Sequence, residues 1–322
     1  VHPSPHPAYE LWQSTLAGEK LSVIASNTSR VKHPSRFHND SDFLFVSYLL
    51  NRDIVLEANN APNAMLESFV KENNSSVMDY LPALTNSDSS YAFVSKRTSG
   101  SEVYWVEKDT DGYKKPEQLT NFDQHVKLYH LTFSPSDKQL AVLADNLIYV
   151  VNMSTKRVAK LPLANISIQG LSWIDEEEIL FTTIQNNRWQ VAKYNLVTNN
   201  LKEVASEYYG GVFLPQQQLF ALLSVTGTQI DLIDKQNNVI DRLMIDCEPG
   251  ISERKINLHF IDDSLVCYST QSKHLMSISL ATRKVSSWRN LPSNIDFMVK
   301  PHGVIYTEMA QSIADVMKTV SE

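Results

Sequence analysis

The sequence predicts an all-β fold, a β-propeller of about seven four-stranded blades. Three observations carry this reading: a short hydrophobic strand core recurs along the chain, its spacing matches one blade, and the better-preserved copies share one order of strands and turns. Short strands separated by regular polar turns argue against a helical solenoid.

The cores read Asp42-Phe43-Leu44-Phe45-Val46, Ser90-Tyr91-Ala92-Phe93-Val94, Gln139-Leu140-Ala141-Val142-Leu143 and Glu178-Ile179-Leu180-Phe181-Thr182. They continue as Gln218-Leu219-Phe220-Ala221-Leu222, Ser264-Leu265-Val266-Cys267-Tyr268 and Gly303-Val304-Ile305-Tyr306-Thr307. Successive starts lie 48, 49, 39, 40, 46 and 39 residues apart. A four-stranded blade occupies roughly 40 to 50 residues.

Before each well-preserved core comes a weaker strand and a turn, as in Leu131-Thr132-Phe133-Ser134-Pro135-Ser136-Asp137-Lys138. Proline presets φ there and aspartate caps the turn through its side chain. After the core comes an alternating strand, such as Leu147-Ile148-Tyr149-Val150-Val151, then a polar turn and an amphipathic edge strand such as Arg157-Val158-Ala159-Lys160-Leu161. The apolar cores belong near the interior, where blades pack face to face. The polar fourth strands belong at the rim, where an edge must resist further pairing.

A propeller ring closes when both chain ends share one blade. Ile295 through Tyr306 offers two strands, with Tyr9-Glu10-Leu11-Trp12-Gln13-Ser14 as a third and Lys20-Leu21-Ser22-Val23-Ile24-Ala25 as a fourth. This gives a two-plus-two closure, with Ile313-Ala314-Asp315-Val316-Met317 as a tail; a three-plus-one closure would use that segment as a strand or short helix. A ring of six or eight blades follows if one copy is misassigned. Residues 1–8, Pro-rich, form a linker, and 9–322 form a single propeller domain.

Composition limits the function. The 322 residues carry a net charge of −7, and the basic stretches go no further than pairs such as Lys114-Lys115. Phosphate affinity needs clustered cations, so direct nucleic-acid contact is not expected. No apolar run approaches the roughly 18 residues of a membrane span. The two cysteines, Cys247 and Cys267, could pair in an oxidising compartment or stand as buried thiols. The apolar strand pattern around Cys267 favours free thiols.

The spacings of common catalytic, zinc and nucleotide motifs are missing, so no cofactor, metal or catalytic residue is assigned. Propeller active sites are assembled from distant residues, so this weighs against an enzyme without deciding it. Asp109-Thr110-Asp111-Gly112 opens like a calcium loop but lacks the distal glutamate; a hairpin turn explains it better. His33 and His125 stand at expected starts of innermost strands, with Arg36 and Lys127 nearby. These four are candidates for a polar channel mouth that binds a ligand or partner. Solvated channel lining is the plainer explanation. The tryptophans are expected in core or inter-blade packing. Glu176-Glu177-Glu178 reads as a solvated turn.

The stretch Phe133-Ser134-Pro135-Ser136-Asp137-Lys138-Gln139-Leu140-Ala141 resembles the TolB-type propeller repeat, with Ser136-Asp137 in place of the motif's Asp-Gly. Phe93 to Arg97, Gly100 to Tyr104 and Gln118-Leu119-Thr120 support it, and the resemblance is specific over about residues 80 to 200. With the acidic charge and Pro-rich start, the chain further resembles the periplasmic half of CadC-like or ToxR-like membrane-anchored winged-helix transcriptional regulators. That resemblance implies a non-catalytic sensor of a protein or small-molecule signal, tethered to the membrane through an upstream segment. A free periplasmic TolB-like scaffold and the propeller of a hydrolase or peptidase are the alternatives.

Overall fold

The computed structural model describes residues 9–14, 20–27, 30–36, 43–58, 77–87, 90–98, 100–163, 166–248, 254–269, 271–272, 274–290, 296–301 and 303–318. The predicted linker 1–8 lies outside them. Every regular element among them is a strand. Four come first: β1 (Tyr9–Ser14), β2 (Lys20–Asn27), β3 (Arg30–Arg36) and β4 (Phe43–Ala58).

Blade 1 holds β5 (Asp79–Leu84), β6 (Tyr91–Ser95), β7 (Glu102–Val106) and, beyond a small hairpin of β8 (Lys108–Asp109) and β9 (Gly112–Tyr113), β10 (Glu117–Gln118). Blade 2 runs β11 (Leu128–Phe133), β12 (Gln139–Ala144), β13 (Leu147–Asn152), β14 (Val158–Lys160). Blade 3 runs β15 (Ser167–Trp173), β16 (Glu178–Gln185), β17 (Arg188–Asn195), β18 (Leu201–Ser206). Blade 4 runs β19 (Tyr208–Leu214), β20 (Leu219–Ser224), β21 (Gln229–Ile233), β22 (Val239–Met244). Blade 5 runs β23 (Leu258–Ile261), β24 (Ser264–Ser269), β25 (His274–Ser279), β26 (Val285–Asn290). Blade 6 pairs β27 (Phe297–Lys300) and β28 (Gly303–Lys318) with β4 and β3. Adjacent first strands touch all the way round, β5 to β11, β15, β19, β23, β27 and back to β5. They line a central channel.

The fold is therefore a six-bladed propeller rather than the seven blades expected. The first core, at Phe43, and the last, at Gly303, are neighbouring strands of one sheet. Two cores counted separately from sequence become one blade, because the ring can close only by pairing strands from both ends. The two-plus-two split holds, but with β4 and β3 in place of the expected strands. Tyr9–Ser14 and Lys20–Asn27 instead pair with each other as β1 and β2. The expected tail 313–317 continues β28, paired with β4 through Lys318 and Leu44. β3 pairs with β4 between Phe43 and Tyr48, whereas β27 meets β28 opposite Val55 to Ala58. At about 3.3 Å per residue, β3 sits roughly 20 Å along the ribbon from the channel.

The second strands are buried on both faces: Ala92, Val94, Leu140, Val142, Ile179, Phe181 and Leu222 are all fully enclosed. Packing of this kind fixes the spacing between blades. Within blade 4 the strands are close too: a Cβ on Gly211 of β19 would lie 2.1 Å from the Ala221 carbonyl oxygen of β20. The fourth strands are exposed, as expected; Val158, Leu201, Val239, Ile240 and Val285 face solvent. Asp109 to Gly112 forms the β8–β9 hairpin, with Gly112 at φ 126° and Asp111 N–H donating to Asp109 Oδ1 at 2.9 Å.

The cysteines depart from expectation. Cys247 and Cys267 form a disulfide, with Cα atoms 5.6 Å apart. The apolar pattern around Cys267 correctly marks a buried strand. It is silent on the segment after β22, which Cys247 N–H to Gly227 carbonyl, at 2.7 Å, directs across to β24. The bond ties blade 4 to blade 5.

Candidate functional site

The channel is closed at the end where the first strands begin. The segment Arg254 to Asn257, leading into β23, lies across it. Arg254 stacks 4.2 Å over the Tyr129 ring, and its guanidinium donates to Asn146 Oδ1 at 2.7 Å and to the Ile168 carbonyl. Lys255, 5% exposed, pairs with Asp296 Oδ1 at 2.8 Å, and its carbonyl accepts from Tyr209 O–H at 2.8 Å. Asp296 Oδ2 accepts from Leu81 N–H at 3.3 Å. Arg254 and Lys255 thus engage blades 2, 3, 4 and 6, and Asp296 links Lys255 on to blade 1.

Ile256 completes the closure because two glycines make room for it. A Cβ on Gly170 would lie 2.7 Å from Ile256 Cγ1, and one on Gly210 would lie 2.9 Å from its Cδ1. A larger side chain at either glycine would displace the Ile256 side chain from this seat.

Above the plug is a well of about 220 Å³, open where the first strands end. Its walls include Thr132, Trp173, Phe213, Phe260 and Met298, and its rim includes Asn86, Pro135, Pro215 and Lys300. Trp173 Nε1 donates to the Thr132 carbonyl at 2.9 Å, which holds the indole flat against the wall. The Pro135–Asp137 turn orders the rim: Asp137, at φ 61°, accepts from Asn86 N–H and Nδ2 at 2.7 Å and from Ser87 N–H at 2.8 Å. Asn86 Oδ1 in turn accepts from Lys300 Nζ at 2.5 Å.

Three titratable side chains line the well: His130, His259 and Lys300. His130 Nδ1 accepts from Leu171 N–H at 3.2 Å, which requires the neutral ring. Burial, reinforced by the Lys255 charge and opposed by Asp296, pushes it down to about 3. His259 packs edge-on against Phe297, 5.5 Å between ring centres, and is pushed to about 3 by burial and then by Lys300, His130 and Lys255. Its Nε2 is buried and has no hydrogen-bond partner among the described residues. Burial lowers Lys300 to about 8, opposed by the Asp137 charge. His259 and Lys300 are half-buried and both are among the residues lining the well.

Chemically, the well offers the Lys300 ammonium, neutral imidazoles and apolar walls. Ser172, its buried hydroxyl, donates to the Gly211 carbonyl at 2.8 Å rather than to a base. Among the described residues no three His, Cys, Asp or Glu side chains gather as a metal would require.

The sequence candidates do not converge here. His125 and Lys127 immediately precede β11, as expected of a first strand, but at the plugged end. Both are exposed, their backbone N–H groups tied to Asp123 and Asp145. His33 and Arg36 lie in β3, the outermost strand of blade 6, so the reading of an innermost strand there is corrected. Periodicity marks the apolar cores, whereas β3 is largely polar and its place depends on pairing across the ring. The residues that do line the well were missed; Pro135 and Asp137, read only as a turn, lie at its rim. Trp173 was expected only to pack. Glu176 also does more than face water: its carboxylate accepts from Ser136 N–H at 2.6 Å, joining neighbouring turns.

No family model and no curated protein matches the chain. Solved structures do. A putative TolB from Agrobacterium tumefaciens aligns over 81% of this chain and 99% of its own, at 11% identity and a TM-score of 0.59. A chain of a nidogen/laminin complex aligns over 75% of this chain and 94% of its own, at 9% identity and a TM-score of 0.53. At such identities the likeness is one of architecture, and the architecture is that of a TolB-like β-propeller.

Proposed function

We propose that the protein is a non-catalytic, extracytoplasmic binding propeller whose ligand or partner enters the one-ended channel well. The observation that carries this reading is the plug: Arg254 to Asn257 closes one end of the ring and leaves a lined recess at the other. Recesses with apolar walls and a few convergent polar groups are the usual form of binding sites. The Cys247–Cys267 bond supports an oxidising compartment, since such bonds persist outside the cytosol.

Within this reading the propeller is the sensor of a membrane-anchored transcriptional regulator, or a free periplasmic scaffold; the TolB-like fold supports both equally. As a sensor it must bind its signal with different affinity in two states of the tethered protein. The gene sequence upstream of Val1 separates them: a membrane helix there supports the regulator and a cleavable signal peptide supports the scaffold.

Binding through the well is tested by photo-crosslinking. A benzophenone amino acid at Pro135, on the rim, should yield a discrete adduct in intact cells. The same group at Val197, on the outer hairpin and 66% exposed, should not. Adducts from Val197 alone would move the binding surface to the outer edge and defeat the proposal.

A further inference from the structure

We infer that the well takes a small amphipathic anion, with a carboxylate seated between Lys300 and His259 and an apolar body against Trp173 and Phe213. This rests on the reading above that the channel is where the protein binds, and it names the chemistry of what binds.

Charge in the well favours an anion. Among the described residues the titratable groups lining the well are His130, His259 and Lys300, with no Asp or Glu; Asp137, outside the lining, is held at the rim by Asn86. Basic groups also succeed one another down the channel. Lys300 stands at the rim, His259 below it, His130 deeper, and Lys255 in the plug beneath, where Asp296 balances it. Both histidines are kept neutral partly by neighbouring positive charge. A bound anion opposes that sign, while both rings stay neutral at pH 7 and Lys300 supplies the positive charge.

His259 adds an enclosed, unpartnered ring nitrogen: its Nε2 is buried with no hydrogen-bond partner among the described residues. A buried polar atom in that state costs free energy until a ligand completes it. A carboxylate accepts from imidazole N–H and from ammonium together, and such charge-assisted bonds strengthen away from bulk water. A cation meets repulsion from Lys300 at the same place.

The shape of the well favours an apolar body. The Trp173 indole N–H is already engaged with Thr132 C=O, so its ring presents an apolar surface. Phe213, Phe260 and Ile256 continue that surface. A recess of about 220 Å³ accommodates a small molecule with one polar end.

Three probes of one shape separate charge from size: indole-3-acetate, its neutral amide and tryptamine, measured against the intact protein by isothermal titration calorimetry at pH 7 and low salt. The acetate is expected to bind about ten-fold more tightly than the amide, the scale of one charge-assisted hydrogen bond, and tryptamine not at all. Lys300→Met should abolish the difference between acetate and amide while its unfolding temperature confirms that it folds. The wild-type comparison decides the question by itself if the variant does not fold. Equal binding of acetate and amide overturns the anion assignment and leaves the well standing as a binding site. Binding of none of the three overturns the assignment, and the rim crosslink then reports separately whether a larger partner uses the channel.

Discussion

Reduction of the Cys247–Cys267 bond should lower stability by about 3 kcal/mol. The two residues are 20 apart in sequence, and closing a loop of that length removes roughly 11 cal/mol/K of entropy from the unfolded chain. Both ends are buried, Cys247 at 2% and Cys267 at 0% exposure, so neither gains solvation when the bond opens in the folded state. For a chain of 322 residues unfolding near 60 °C, average unfolding entropies convert this to a drop of about 5 °C in Tm. Scanning calorimetry with and without reductant measures it, with mass spectrometry to establish complete reduction. Cys247→Ala/Cys267→Ala should match the reduced protein and no longer respond to reductant. A fully reduced protein with an unchanged Tm would refute the reasoning, because the bond would then constrain nothing in the unfolded chain.

Two further outcomes follow from the packing and from the buried histidine. Gly211→Ala should cost about 3 kcal/mol or more, since the added Cβ meets the Ala221 carbonyl 2.1 Å away and cannot rotate clear; urea unfolding measures it, and a loss below about 1 kcal/mol would contradict the register of β19 on β20. His130 has a folded pKa of about 3 against an ordinary 6.5, so the unfolded chain takes up its proton first and stability falls as pH drops from 6.5. Asp79, raised to about 6 by burial, works the other way between about 6 and 3.8, where its folded form holds the proton. His130→Asn keeps an acceptor for Leu171 N–H and removes the titration. Its stability should therefore fall less steeply between pH 6 and 4, by up to about 1.4 kcal/mol per pH unit; an unchanged slope would show that His130 titrates normally when folded.

The second strands of the blades were legible in the sequence because both their faces are buried, which produces uninterrupted apolar runs such as Leu140 to Leu143. The blade count was not, because the pairing of β4 with β28 joins residues about 250 positions apart, and nothing local distinguishes a core that opens a blade from one that closes it. The rim was half legible: Pro135 and Asp137 announced a turn, but not that Asp137 reaches the turn of the preceding blade to hold Asn86. The well itself left little local trace. His130 and His259 are single residues in short first strands, and Ile256 gains meaning only opposite Gly170 and Gly210. The disulfide was open for the same reason: each cysteine looks like any small buried residue until the neighbouring blade is in place.

The account stands or falls on a channel that is open at one end and basic inside. Both native cysteines are in the disulfide, so Thr132→Cys places one free thiol on the wall of the well. Its rate of modification can be followed with two methanethiosulfonates of similar size, one bearing a sulfonate and the other a trimethylammonium. The account predicts that both reach the thiol and that the anionic reagent reacts several-fold faster, an advantage that shrinks with salt. A thiol inert to both reagents would contradict the open well, and a faster cationic reagent would contradict its charge.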